Sequence, residues 1–202
     1  MAANVARGSQ ASESQIIISA ARRVLEREGS TGFRVHDVLS EAGIGTRALY
    51  RHFDSRDALV LAVFVEAAEE EALRLRSRME AAPDPLGAVS VWIEARLELA
   101  FDEQIGNSMR DISLEAHQAS RDAPEQMEIA LDRLLEPLVE QLALGQAKGL
   151  FVTEDPVQQA LSIQDIVWGQ TLRQWSGIRT ERDGAHVHVL RFCLRGIGAP
   201  NS

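Results

Sequence analysis

Residues 35–53 read Val-His-Asp-Val-Leu-Ser-Glu-Ala-Gly-Ile-Gly-Thr-Arg-Ala-Leu-Tyr-Arg-His-Phe. Val35, Val38 and Leu39 recur at helical spacing and mark the inward face of a short helix that ends at Ala42-Gly43. Gly43 stands where the chain leaves that helix through a left-handed residue, a conformation open to glycine without steric cost. Ile44 is the apolar plug of a Gly43-Ile44-Gly45 turn, and a second helix runs from Thr46 to about His52. Two short helices joined by a glycine-containing turn are the signature of a helix-turn-helix. Leu49 and Phe53 lie four apart and share the inward face of the second helix. The outward face then carries Arg47 and Arg51, flanked by Ala48 and Tyr50, with Thr46 placed as N-cap. Arginine suits bidentate contact with guanine, and Tyr50 and His52 suit phosphate. Arg34 and His36, ahead of the turn, complete the candidate DNA-facing set.

The charge distribution fits such a face. The chain of 202 residues carries a net charge of −9, which alone argues against a polyanionic partner. Residues 1–56, however, hold eight Arg against six Asp and Glu, a net of +2. The remainder holds 13 basic against 24 acidic residues, a net of −11. Local sign governs attraction to phosphate, and a balance so mildly positive points to two copies acting together on DNA. Apolar residues make up 45%, ample for a core. One cysteine excludes an intramolecular disulfide and agrees with a cytoplasmic location. The longest apolar run, Ala58 to Val65, falls far short of the ~20 residues that span a bilayer. The opening Met-Ala-Ala-Asn-Val-Ala-Arg-Gly has no signal-peptide core, and residues 1–12 are expected to be a disordered arm.

The rest of the chain reads as helix throughout, with no alternating strand pattern, so the expected class is all-α with about nine helices. A first helix over Ser14–Glu28 places Ile17, Ala21, Val24 and Leu25 on one face. A long helix from about Asp54 to Met79 spans ~39 Å, with Asp54 and Asp57 resembling a capping box. Asp84-Pro85 starts another, with Leu86, Val89, Ile93, Leu97 and Ala100 as its stripe, broken at Gly106-Asn107. Asp122-Ala-Pro124 opens a helix with Met127, Leu131, Leu134, Leu138 and Leu142, closed by Lys148-Gly149. The helix begun by Asp155-Pro156 has Leu161, Trp168, Leu172 and Trp175 on one side and Ala160, Ile163 and Val167 on another. The last, from about Gly184 to Gly196, sets Val187, Leu190 and Leu194 on one face, with Phe192 and Cys193 turned away. A helix apolar on two sides buries both, in a thick monomer core or in a homodimer.

The motif resembles the DNA-binding domain of the TetR (tetracycline-repressor) family of bacterial regulators. Phe33 after Gly32, the Asp37-Val38 pair, Ala42-Gly43-Ile44, Leu49-Tyr50, His52-Phe53, Ser55-Arg56-Asp57 and Leu59 carry the likeness. Arg34 stands where the family usually has a capping Thr or Ser, Gly45 where it has Ser, Arg56 where it has Lys, and Leu39 where it has Ala. The resemblance implies a helix-turn-helix domain over 1–56 and a ligand-binding and dimerisation bundle over 57–202. It implies a homodimer paired through the last two helices, by Leu161, Leu172, Val187, Leu190 and Leu194. Such a dimer sets two recognition helices ~34–36 Å apart on a palindromic operator of double-stranded DNA. A small apolar or amphipathic effector would bind among Trp92, Phe101, Met109, His117, Trp168 and Trp175 and release a repressor. The resemblance implies no cofactor and no membrane partner.

Rival classes have less to stand on. No glycine-rich phosphate loop, metal-ligand spacing or nucleophile elbow is present, so no catalytic residue is nominated. His186 and His188, two apart on a helix, point to different faces and do not make a metal site. A helical interaction module, or an activator without small-molecule control, is the alternative to a repressor.

Overall fold

The computed structural model describes residues 2–101, 103–121, 123–152, 155–178 and 181–199, with side chains from Glu13 onward except at 30, 103–109 and 182–183. Among these the chain forms nine helices and no strand: α1 (Ala2–Gly32), α2 (Val35–Ala42), α3 (Thr46–His52), α4 (Arg56–Met79), α5 (Pro85–Glu98), α6 (Glu103–Ala119), α7 (Pro124–Ala147), α8 (Pro156–Trp175) and α9 (Arg182–Gly196). The all-α expectation holds. The bounds of α1 take in the segment expected as an arm, and its backbone departs from helical geometry at Gly29. No described helix is long and apolar enough to cross a membrane.

The chain divides into two compact units. The first takes residues 1–67 and 107–130, the second 68–106 and 131–202. The line expected after residue 56 falls later in the structure. The first turns of α4 and Ile112 of α6 supply side chains to the first core. Three helices, α4, α6 and α7, therefore continue from one unit into the other.

The core of the first unit is apolar. Ile17, Ala20, Ala21, Val24 and Leu25 of α1 meet Val38, Leu49, Phe53, Leu59, Val60, Val63 and Ile112. Val35, Leu39 and Ile44 pack against it half-buried, as their spacing implies. The rim is ionic: Arg56 donates to Glu115 (2.6 Å) and Asp57 (3.1 Å) and lies over the Phe33 ring. Burial works against the Arg56 charge, but Glu115 and Asp57 outweigh it, so the guanidinium is held above its ordinary value.

In the second unit Ala88, Val89, Trp92, Ile93, Ala95 and Leu97 of α5 are buried, with Leu134, Leu135, Leu138 and Leu142 of α7. α5 packs against α8 and α9, and α8 packs against α9. The side chain of Asp84 accepts from the Gly87 N–H, and that of Asp155 from Val157 and Gln158, so both expected caps form. Gly145 of α7 lies against the Phe151 ring, where even a methyl group would overlap the aromatic carbons. Cys193 is buried and free, and burial pushes its thiol up to about 11.

Three local readings are corrected. Gly45, not Thr46, is the N-cap residue of α3, and no side chain caps it, because the chain becomes helical one residue earlier than a Thr46 cap requires. α4 is capped by Ser55, whose hydroxyl accepts from the Ala58 N–H, rather than by a box from Asp54. Gly106-Asn107 lies inside α6; the chain leaves helix α5 after Glu98 instead.

Candidate nucleic-acid interface

α2 and α3 present the candidate face. α2 ends in Gly43 (φ 67°, ψ 31°), which sends its own N–H and that of Ile44 back to the Leu39 carbonyl. A side chain there would be strained, and the reversal sets the direction of α3. Leu49 is the one fully buried residue of α3. Burying it contributes about 1.5–3 kcal/mol and fixes the rotation of the helix about its axis. With Leu49 inward, Thr46, Arg47, Tyr50 and Arg51 are exposed and Ala48 and His52 are half-buried.

The cations on this face differ in their partners. Among the described residues the side chains of Arg47 and Arg34 have no hydrogen-bond or ionic partner, and Tyr50 is 52% exposed. His36 Nδ1 lies 3.3 Å from Asp37. Arg51 and His52 converge on one carboxylate oxygen of Glu13, at 2.5 Å and 2.6 Å. His52, then Arg51, hold the Glu13 carboxyl below its ordinary range. Sequence reasoning missed Glu13 because it lies 38 residues from Arg51 and only the packing of α1 against α3 brings them together.

The ligand candidates are dispersed. Trp92 is fully buried in α5. Phe101 is half-buried with its ring centroid 5.4 Å from that of His186. Trp168 and Trp175 stack edge to face at 5.7 Å. These four belong to the second unit. His117 belongs to the first and is exposed, one position round α6 from buried Ala116, and so is not enclosed among apolar neighbours as its sequence context suggested. The Met109 side chain lies outside the described residues. A cleft of about 220 Å³ in the second unit is lined instead by Glu71, Arg74, Leu75, Arg78, Ala95, Glu98 and Leu99.

Residues 17–63, from α1 through the turn into α4, match the family described as bacterial regulatory proteins, tetR family. In sequence, the likeness to the tetR family lies in that segment. Solved structures of tetR-type regulators share its fold along nearly the whole length. A TetR-family transcriptional regulator from Pectobacterium atrosepticum is 20% identical, with 95% of this chain and 96% of that chain covered and a TM-score of 0.70. The transcriptional regulator FadR from Bacillus subtilis, solved with stearoyl-CoA, is 18% identical over 91% and 98%, with a TM-score of 0.68. RolR, solved with resorcinol, is 19% identical over 96% and 91%, with a TM-score of 0.69. No curated protein matches the sequence. The helix whose outer face is cationic, α3, lies within the matched segment as the second helix of the motif.

Proposed function

We propose that this chain is a tetR-family transcriptional repressor that binds a palindromic operator as a homodimer and is released by a small effector. The observation that carries the reading is α3, held inward by Leu49 with Arg47, Tyr50 and Arg51 outward on a motif of the family. Arg47→Ala or Tyr50→Ala is expected to weaken operator binding by about 1–3 kcal/mol with the helical content unchanged. A gel shift on duplex selected from random sequence measures it. Unaltered specific binding by the Arg47, Arg51 double alanine variant would overturn the assignment of this face.

Assembly follows from the last two helices. Leu161, Trp168, Leu172, Leu190 and Leu194 are half-buried, and Val187 is more than half exposed. This unfinished apolar face is the surface for a second copy. Leu194→Glu is expected to abolish the dimer in sedimentation and operator binding together. A monomer that binds the palindrome tightly would sink the claim.

Control passes through α4, a helix of 24 residues or about 36 Å. It contributes to both units, so a ligand that reshapes the second unit acts on the helix that ends beside the motif. Relatives of this fold were solved with stearoyl-CoA and with resorcinol, which supports an effector with an apolar body. Linkage requires that the effector weaken DNA binding by the factor by which DNA weakens the effector, commonly ~5–150-fold.

A further inference from the structure

α5 carries two hydrogen-bond donors that its surroundings leave unpaired. Trp92 is fully buried, and its indole Nε1 has no acceptor among the described residues. One turn on, the buried Nε of Arg96 has none either. Residues four apart share a helix face, so both donors belong to one side of α5. On α8, which packs against α5, the buried amide oxygen of Gln164 lacks a donor. Buried polar groups are paired in the great majority of cases, and three orphans on two packed helices mark a place with polar needs of its own.

The charge is short of a partner as well. The Arg96 side chain is 11% exposed, and its contact with Glu71 runs from Nη1 at 3.6 Å. Glu71 is already held by Arg74, at 2.9 Å from Nε and 2.8 Å from Nη2. One carboxylate shared by two guanidiniums leaves one positive charge over. Burial draws the Arg96 guanidinium below its ordinary value, against the pull of Glu71. A buried cation in that state calls for an anion.

We propose that the buried side of α5 that carries Trp92 and Arg96 binds the head of a monocarboxylate effector, whose oxygens accept from Arg96 Nε and Trp92 Nε1. The proposal rests on the effector-controlled reading above and supplies its ligand chemistry. Nη1 is turned to Glu71, while Nε has no acceptor and can donate to a carboxylate. A monoanion cancels the single surplus charge. A neutral amide supplies acceptors without cancelling it. Buried Ile93, Ile163 and Val167 of the two helices suit a hydrocarbon or aromatic body, and Gln170 and Thr171 are the further buried polar side chains of α8.

The test pairs octanoate with octanamide and benzoate with benzamide, using the full-length protein without DNA. Tryptophan emission and the melting temperature are followed in each titration. Each acid is expected to bind about tenfold or more tightly than its amide. Arg96→Met is expected to erase that preference, and Arg96→Lys, which keeps a charge but lacks Nε, to reduce it. Trp92→Phe is expected to weaken acid binding severalfold. Circular dichroism checks that each variant is folded, and a variant that is not is set aside in favour of the other two. Acids that bind no better than amides, acids that do not bind at millimolar concentration, or a folded Arg96→Met that keeps the preference would each overturn the proposal. A gel shift on the selected operator runs beside these titrations. Operator binding with no acid preference leaves the regulator standing and removes only the carboxylate, whereas acid preference with no operator binding does the reverse.

Discussion

In the first unit the cluster from Ile17 to Ile112 is apolar, with Ser113 and Glu115 buried as well, and the guanidiniums are paired with carboxylates: Arg23 and Arg27 on Glu41, Arg51 on Glu13, Arg56 on Glu115. In the second unit Trp92, Arg96 and Gln164 lie inside with polar atoms unpaired. Rim charges exchange a carboxylate for a phosphate at small cost, since exposed pairs contribute little. Interior charges cannot exchange with water and respond only to what enters. The contrast separates a surface of exposed, paired charges from an interior that holds a cation with polar atoms unpaired.

The largest test of that contrast strikes the first core. Leu49→Ala is expected to cost about 2–5 kcal/mol, read as lost hydrogen-exchange protection in α1 to α3. All three tryptophans, Trp92, Trp168 and Trp175, belong to the second unit, so their emission reports on it separately. Equal destabilisation of both would show that the two cores melt as one and would break the comparison. Asp155→Ala, which removes a cap accepting two N–H groups of the second unit, is expected to cost about 1 kcal/mol in urea denaturation. A cost above that of Leu49→Ala would mean that the cap has a larger role than closing α8.

The smallest effect sharpens the rim. Glu13→Gln removes the charge that engages Arg51 and His52, and operator binding is expected to tighten by about twofold to fivefold. The sign with pH follows from the lowered Glu13 carboxyl. Its contribution to stability is present above the ordinary carboxylate range and is lost as pH falls through the depressed value. The Gln variant should therefore lack that part of the acid-limb decline in melting temperature. An identical acid limb in both proteins would show that the pairing with Glu13 does not form in solution.

The fold was legible because its signals are local. The spacing of Val35, Val38, Leu39, Leu49 and Phe53, with Gly43 between, is enough to place two helices and a turn, and the structure puts them at Val35–Ala42 and Thr46–His52. The proline starts at Pro85, Pro124 and Pro156 were equally readable. What the sequence hid is tertiary. Nothing near Glu13 says that α1 will bring it to Arg51 and His52. The expected break at Gly106-Asn107 failed because packing can hold a helix through residues of poor propensity. Arg96 had a visible signal, a lone cation between Ala95 and Leu97 in a helix otherwise apolar on that side, but its missing partner shows only once Glu71 is seen to be shared.

The buried thiol described in α9 has a practical consequence. With one cysteine in the chain, 2% exposed and its thiol pushed up to about 11 by burial, the folded protein is expected to react slowly with thiol reagents near neutrality. A cysteine introduced at an open position such as Leu73, 69% exposed, would then take up a spin label or fluorophore alone. The native sequence is thus already a background for site-directed labelling, and label-to-label distances in a dimer, with and without operator, could be measured on a protein changed at one residue.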